Sequence, residues 1–543
     1  MRKILLASAA MLGATAGIAS AQAPVPAAAA MMMQPTQGQF ALPWAQGPTV
    51  NNNNNTLEAT GFPAGYKGGA AYGRNAVPSP GTVVIRLNGR VEADMIVGWS
   101  TNHQVGATAT APGFKSNPVI FGAYARLYPG VDGMATNGLR YGAAVELREN
   151  YASTGNAAQP GPALGTASTA TGAGAAATYS IGGGAPSPSA YNSSQTIFVR
   201  RAYAYLAHEN FGLVRMGTTD GVIGLFDPGI FSGQGFDGGH GGLNGALHQG
   251  IGINGAAAVP FALAQAGAEY GNTKIVYMSP QFFGFDFGVQ YAPSMGNANS
   301  TCATAGFGCN STTTGNDPTR WYNQVAVGAR YQGVFGPVNF GIFGVYEAAA
   351  KETFFGSVTG AATGPAAIAS GRSGFGQTGT KYDNLGFINA ATYITFNSPV
   401  GQFTTSANYI GGAVNGQLAM KPTGGVNENH LLLGFSYRNG PFVIGTQAEF
   451  VNSQGDARLT GVSQRREFAL AVGGAYTLAP GVVAYAEYQY AYRHQGGFDF
   501  VAGGLGGGAT GTPGITSGAT AWKAGATRDA HGQALLLGTA VSW

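Results

Sequence analysis

Alternation with a period of two residues runs through most of the chain after residue 80, and it constrains the fold more than any other feature. In residues 482–495, VVAYAEYQYAYRHQ, the even positions up to Tyr492 are apolar or small residues and tyrosines, whereas the odd positions include Glu487, Gln489 and Arg493. Successive side chains of an extended strand point to opposite sides, so the stretch has one largely apolar face and one more polar face. The pattern predicts a strand between an apolar medium and water.

Sixteen runs of this kind follow one another, separated by residues typical of turns. They cover approximately residues 82–100, 118–129, 138–151, 195–207, 211–218, 273–279, 284–292, 320–333, 337–348, 383–397, 400–412, 428–438, 441–452, 465–478, 481–494 and 531–543. Seven short connections alternate with eight long ones. Sixteen antiparallel strands require this arrangement when both chain ends lie on the side of the short turns, so the sequence predicts an all-β fold.

The first residues resemble an export signal. MRK is cationic, ILLASAAMLGATAGIA is apolar, and ASAQA offers small residues for cleavage, so residues 1–21 are predicted to be removed. Retention as a membrane anchor is the alternative. No later stretch has 18 consecutive apolar residues, so a membrane-inserted mature chain would have to be a closed barrel.

Charge is scarce along the whole sequence. Charged residues make up 9% of the chain, against roughly 25% in soluble domains. Removal of Arg2 and Lys3 with the signal lowers the 27 basic residues to 25, against 23 acidic ones. The near balance predicts no nucleic-acid partner, and the low charge favours a membrane barrel over a soluble β-sandwich.

Residues 22–80 lack sustained periodicity and are rich in Pro, Ala and Asn, so they are predicted to be an extension of a barrel domain at 81–543. Aromatic residues gather near the ends of the runs, where membrane barrels carry interfacial girdles. The residues predicted for the girdles are Tyr128, Tyr151, Trp321, Tyr322, Tyr346 and Tyr492.

Few residues point to other chemistry. Cys302 and Cys309 predict a small disulfide loop in an exported chain, with two unlinked thiols as the alternative. His240 and His248 share one loop without a third ligand at metal-site spacing, and the GQGFDG stretch at 233–238 neither follows a βα unit nor opens a helix. We therefore predict no enzyme, no metal and no cofactor.

Three stretches resemble the general diffusion porins of Gram-negative outer membranes. They are IFVRRAYAYLAHENFGLVRMGT, TKIVYMSPQFFGFDFGVQYAP and the terminal HGQALLLGTAVSW. The resemblance runs from about Thr82 to Trp543. It implies a 16-stranded antiparallel transmembrane β-barrel with short periplasmic turns, long extracellular loops and a third long loop, here Thr219 to Asn272, folded into the lumen.

The resemblance also implies a constriction, where loop acids face arginines on the barrel wall. The wall residues are predicted to be Arg86, Arg90, Arg126, Arg140, Arg148 and Arg200, and the loop acids Asp220, Asp227, Asp237 and Glu269. Alternatively, the arginines only balance Glu92, Asp94 and Glu146 in a polar lumen. Arg201 falls on the outward face in this interpretation, where a contact between subunits would bury it; the alternative is that its face is misassigned.

The function implied is passive diffusion of small hydrophilic solutes and ions across the outer membrane. The implied partners are outer-membrane lipid, two further copies in a homotrimer, and the assembly machinery that reads Trp543. Two alternatives stay open: a substrate-selective channel in which residues 24–80 act as a partial plug or periplasmic tether, and a surface adhesin or structural barrel.

Overall fold

The structure is a computed structural model, and it describes residues 79–100, 104–105, 114–115, 119–149, 197–208, 210–226, 272–280, 282–294, 321–351, 382–415, 420–421, 423–455, 464–479, 482–496, 498–499, 504–505 and 529–543. The predicted signal peptide at residues 1–21 lies outside these ranges, as do all but the last two residues of the predicted extension at 22–80. Cys302 and Cys309 lie outside them too. The removal of the signal, the role of the extension and the disulfide therefore stay predictions.

Sixteen strands form one antiparallel sheet that closes on itself. In chain order they are β1 Thr82–Ser100, β2 Val119–Met134, β3 Arg140–Glu149, β4 Ile197–His208, β5 Gly212–Thr219, β6 Asn272–Met278, β7 Phe285–Ser294, β8 Trp321–Phe335, β9 Val338–Lys351, β10 Leu385–Ser398, β11 Gly401–Ala413, β12 Glu428–Asn439, β13 Phe442–Ser453, β14 Arg465–Ala479, β15 Val482–Gln495 and β16 Asp529–Ser542. Each strand pairs with its neighbours in sequence, and β1 pairs with β16. The predicted all-β barrel of sixteen strands is confirmed.

The seam that closes the ring extends to Trp543. The backbone N–H of Trp543 donates to the carbonyl of Gly89 at 3.1 Å, and the N–H of Gly89 donates back to the carbonyl of Trp543 at 3.1 Å. A Cβ on Gly89 would lie 2.2 Å from the Trp543 ring. Only glycine therefore lets the terminal indole lie across β1 at the seam.

The two faces of each strand differ as the alternation predicts. Along β7 every second side chain is exposed on the outside of the barrel, namely Phe285, Phe287, Val289 and Tyr291. The residues between them, which include Asp286 and Gln290, are buried on the inside. An apolar outer face suits lipid and a polar inner face suits a lumen, as in outer-membrane barrels.

The connections follow the predicted alternation of short and long. The Asn-Gly turn between β12 and β13 has Gly440 at φ 55°, a left-handed conformation that glycine adopts at little steric cost. The first residues of the long connection after β5 include a short helix, α1 (Val222–Phe226), which packs against the inner wall. A third long loop folded into the lumen is thus confirmed for residues 220–226. Among the described residues, no helix is long and apolar enough to span a membrane.

Tyr128 corrects one prediction. Strand β2 continues to Met134, so Tyr128 lies within the strand rather than at its end. Its side chain faces the interior and is 3% exposed, which excludes it from an outer girdle. Tyr346, by contrast, is exposed on the outside.

Candidate functional site

The lumen wall beside α1 holds that helix with polar contacts. The backbone N–H of Val222 donates to Gln290 Oε1 of β7 at 2.6 Å. At the other end of the helix, Arg330 Nη1 of β8 donates to the carbonyl of Phe226 at 3.2 Å. Both ends of α1 are therefore attached to side chains of the barrel wall, which fixes the start of the third long loop inside the lumen.

Apolar packing adds to these contacts. Val222 and Phe226 are fully buried against a cluster that includes Met278 and Phe343. Gly288 of β7 leaves room for the helix, since a Cβ there would lie 2.7 Å from Met278 Sδ and 2.9 Å from Val222 Cγ1. The helix occupies space that a larger side chain at this position would fill.

A buried ion-pair cluster lies where the chain leaves β5 for α1. Arg201 Nη1 lies 2.7 Å from Glu146 Oε2, and Arg201 Nε donates to Asp220 Oδ1 at 3.0 Å. All three side chains are almost completely buried. Pairing and hydrogen bonding offset the high cost of removing these charges from water. The cluster joins β3, β4 and the first residue after β5.

Arg201 is the correction to the prediction that it faces outward. The pairing of β3 with β4 shifts by one residue between Glu146 and Leu147, which pair with Arg201 and Val199. Arg200 is the extra residue of this bulge. A bulge reverses the alternation of faces, so Arg201 points inward and needs no contact between subunits to bury it.

Two further ion pairs lie on the inner wall, one between β2 and β3 and one between β7 and β8. Arg140 Nη2 lies 2.6 Å from Asp132 Oδ2, and the Tyr205 hydroxyl donates to Asp132 Oδ1 at 2.7 Å. On β8, Arg330 Nη2 lies 2.5 Å from Asp286 Oδ2. The Arg215 guanidinium carbon is 4.2 Å from the centre of the Tyr203 ring, close enough for a cation–π contact.

The predicted constriction residues are distributed unevenly. Asp220 joins the Arg201 cluster, but Arg140 lies at the turn end of β3, six residues from Glu146. Backbone register places Arg90 opposite Arg126, and Arg126 opposite Arg148. The side chains of Arg86, Arg90, Arg126, Arg148 and Arg200 are outside the described part of the chain, and so are Asp227, Asp237 and Glu269.

The opposite wall carries charged and amide side chains that were not predicted as site residues. His430 Nε2 of β12 lies 2.7 Å from Glu449 Oε1 of β13, and Arg493 Nε of β15 lies 2.7 Å from Glu467 Oε1 of β14. Gln489 Nε2 donates to Glu487 Oε1 at 2.6 Å. The polar face predicted for residues 482–495 does face the lumen. Strand register, which the alternation does not supply, brings the other residues together.

At the end of the barrel that carries the long loops, residues of neighbouring loops contact one another. Lys421 Nζ lies 2.8 Å from Asp383 Oδ2, and Asn415 exchanges hydrogen bonds of 2.9 Å with the backbone of Gly455. The hydrogen bond from Lys421 lowers the pKa of the Asp383 carboxyl. No group of three or more His, Cys, Asp or Glu side chains among the described residues could hold a metal ion.

A closed barrel of this size with a polar interior, an apolar exterior and an inward-folded loop defines the class of outer-membrane diffusion channels. A family model described as Gram-negative porin matches residues 7–497. The chain belongs to the Gram-negative porin family and forms an outer-membrane diffusion channel.

Solved structures give weak overall likenesses. OmpT of Vibrio cholerae has 10% sequence identity and a TM-score of 0.40, over 86% of this chain and 100% of that one. The anion-selective porin from Comamonas acidovorans has 14% identity and a TM-score of 0.41, over 85% and 100% of the two chains. A mutant of the Rh. blastica porin has 10% identity and a TM-score of 0.39 over the same shares. The comparison with curated proteins finds no match.

Proposed function

We propose that the chain is a passive, non-catalytic pore for small hydrophilic solutes and ions, narrowed by the residues that follow β5. The attachment of α1 to Gln290 and Arg330 carries this proposal. A segment held at both ends against the inner wall reduces the free cross-section of the lumen, so solutes are selected by size and polarity as they pass it.

Arginines on β1–β4 form the other side of the narrow passage in this proposal. The Cα register that aligns Arg90, Arg126 and Arg148 supports a basic row on three adjacent strands. We include Arg86 and Arg200 in this wall, facing Asp227, Asp237 and Glu269 of the loop, whereas Asp220 is buried in its pair with Arg201. Arginine stays protonated beside other cations, so opposite charges across the passage would orient dipolar solutes.

Arg140 and Arg201 have other roles in this scheme. Arg140 neutralises Asp132 near the short turns, and Arg201 anchors the loop through Asp220. Neither guanidinium is free to act as an unpaired wall charge. The constriction would therefore take its positive charge from the other arginines.

Three further features belong to the proposal. The signal peptide at residues 1–21 is removed during export, and the barrel then assembles as a homotrimer, as family membership suggests. The assembly machinery reads the terminal strand and its last residue. The 45% exposed side chain of Trp543, at the end of an alternating apolar strand, supports this role.

Conductance in a planar lipid bilayer tests the proposed function. The purified full chain is expected to give long-lived open steps that scale with salt concentration. An adhesin or structural barrel would give no steps, and a substrate-selective channel would show steps that one class of solute interrupts. Absence of any conductance from a folded, heat-modifiable barrel would overturn the proposal.

A further inference from the structure

Five hydrogen-bonding side chains lie side by side on the outer face of the barrel, at the strand ends that lead to the long loops. We name them the rim row: Asn429 of β12, Asn452 of β13, Arg466 of β14, His494 of β15 and Asp529 of β16. Each is the direct register partner of the next. Neighbouring strands are about 4.8 Å apart, so the row extends over roughly 19 Å.

The rim row is accessible from outside the barrel. Arg465 and Glu467, on either side of Arg466 in the chain, are buried on the lumen side, so Arg466 points outward. Its side chain is exposed, and the side chains of His494 and Asp529 are 37% and 51% exposed. A molecule in the surrounding membrane can therefore reach the row.

Two pairs of aromatic residues on the same strands give the height of the row in the membrane. Phe450 of β13 and Phe468 of β14 are register partners with ring centres 5.2 Å apart, and Phe442 pairs in the same way with Tyr476 near the short turns. In strands tilted by about 40°, the eight residues from Phe442 to Phe450 separate the two pairs by roughly 21 Å along the membrane normal. The pairs thus fit the girdles at the two edges of the apolar band. The rim row lies two residues farther along, roughly 5 Å beyond the upper girdle and at the level of the lipid headgroups.

Arg466 brings a positive charge to this level. Its partners in the row, Asn452 and His494, are not carboxylates. Among the described residues, no ion pair or side-chain hydrogen bond involves its guanidinium. Asp529, two strands away, lies 2.8 Å from His494 Nδ1 and accepts a hydrogen bond from the Tyr492 hydroxyl. An arginine in this position can bind a phosphate group through two parallel hydrogen bonds.

The rest of the row suits hydroxyl groups. The amide of Asn452 and the ring of His494 lie on either side of Arg466 and can each form hydrogen bonds with a neutral partner. A row of roughly 19 Å that holds one arginine is longer than a single phosphate requires. A phosphorylated sugar carries both kinds of group, with hydroxyls next to the phosphate.

We propose that the rim row binds the phosphorylated sugar headgroup of a glycolipid in the outer leaflet, with Arg466 on the phosphate and Asn452 and His494 on neighbouring hydroxyl groups. The row is continuous with the apolar outer face below it, so the acyl chains of the same lipid lie against Phe450 and Phe468. This site specifies one headgroup and one sector of the barrel, which general contact with lipid does not. It does not depend on conduction, so its failure and that of the pore function are distinguishable.

Native mass spectrometry of the full chain in detergent tests the site, with diphosphorylated lipid A and phosphatidylglycerol as probes. The parent is expected to bind lipid A at lower concentrations than phosphatidylglycerol, because the lipid A headgroup combines phosphates with a sugar backbone that reaches along the row. Arg466→Gln should raise the half-saturating lipid A concentration about tenfold, since one charged hydrogen-bonded pair is lost. Dephosphorylated lipid A should bind the parent and Arg466→Gln equally.

Arg438→Gln is the matched control, because it removes an arginine from β12 near the short turns; it should bind lipid A as the parent does. Equal binding by parent and Arg466→Gln, or equal weakening in the two arginine variants, would overturn the site. Equal or tighter binding of phosphatidylglycerol would assign Arg466 to phospholipid and overturn the sugar headgroup. Loss of trimers in Arg466→Gln with unchanged lipid binding would assign the row to a contact between copies and also overturn it. The parent alone gives a further test, since equal binding of lipid A with and without its phosphates contradicts the proposal.

Discussion

The wall beside α1 and the wall formed by β10–β13 face the same lumen, yet they use their polar groups differently. Beside α1, Arg201 and Arg330 each lie within 3 Å of a carboxylate, that of Glu146 and that of Asp286 respectively. On β10 and β11, Asn389 and Asn408 have unpaired amides among the described residues. One wall uses its polar groups to hold a segment of the chain in place, and the other keeps two buried amides that make no such contact.

Removal of Arg201 should give the largest effect and is the strongest test of the closed, paired wall. Arg201→Ala leaves Glu146 and Asp220 as uncompensated buried charges, so we expect a loss of about 3–5 kcal/mol in the free energy of unfolding. Chemical denaturation followed by tryptophan fluorescence or gel mobility measures this loss. Single-channel recordings of Arg201→Ala should also show larger current noise, because the loop after β5 is held less firmly.

Arg200→Ala is its control, because it removes the same side chain from the neighbouring bulge position. If both variants lose the same stability, the ion-pair cluster is not what holds the loop. A change of reversal potential in Arg200→Ala alone would sharpen the contrast between an anchoring arginine and a pore-lining one.

Filling the space of Gly288 should be the next largest effect. Gly288→Leu collides with Met278 and Val222, so we expect α1 to leave the wall, a stability loss of about 1–3 kcal/mol and a larger single-channel conductance. Gly344→Leu is the control, since no atom lies within 4 Å of a Cβ there. Unchanged conductance in Gly288→Leu would show that α1 does not set the pore size.

The wall formed by β10–β13 should respond with the opposite sign. Asn408→Leu replaces an unpaired buried amide by an apolar side chain of similar size, so the variant is expected to be about 1 kcal/mol more stable than the parent. The same denaturation measurement checks this gain. Destabilisation by Asn408→Leu would show that the amide is already paired, and the difference between the two walls would disappear.

The smallest effect concerns the mouth. The hydrogen bonds of Asp383 with Lys421 and Thr423 favour its charged form, so their contribution is complete at neutral pH and is lost as pH falls through the lowered pKa, below about 4. Hydrogen exchange of residues 382–384 and 420–427, corrected for intrinsic rates, should become about two- to fivefold faster there. Asp383→Asn should lack this pH dependence.

Alternation predicted the barrel well because lipid and water impose opposite demands on successive side chains. All sixteen runs became strands, and β2 was extended by five residues past its predicted end. The two errors have different causes: single-strand periodicity contains no information on bulges, and the predicted end of β2 was too early for Tyr128, which shares a face with Arg126. The bulge opposite Glu146 turned Arg201 inward, and Tyr128 proved to be within a strand.

The site was predictable only in part, because single-strand periodicity contains no information on pairing. Asp220 was identified, since an acid at the start of the third long loop fits the family pattern. His430 and Glu449 belong to runs whose alternation was clear, but 19 residues separate them, and only the register of β12 with β13 shows that they meet. The amides on β10 and β11 required side-chain geometry before their missing partners could be seen.

The seam between the first and last strands has a consequence for biogenesis. Gly89 and Trp543 are hydrogen-bonded to each other although more than 450 residues separate them, so the ring cannot be completed before β16 has been delivered. Until then the sheet has two open edges that invite pairing with other chains, and such distant pairing forms slowly. Protection of the incomplete barrel from such pairing, rather than the stability of the complete barrel, should limit how much protein reaches the outer membrane.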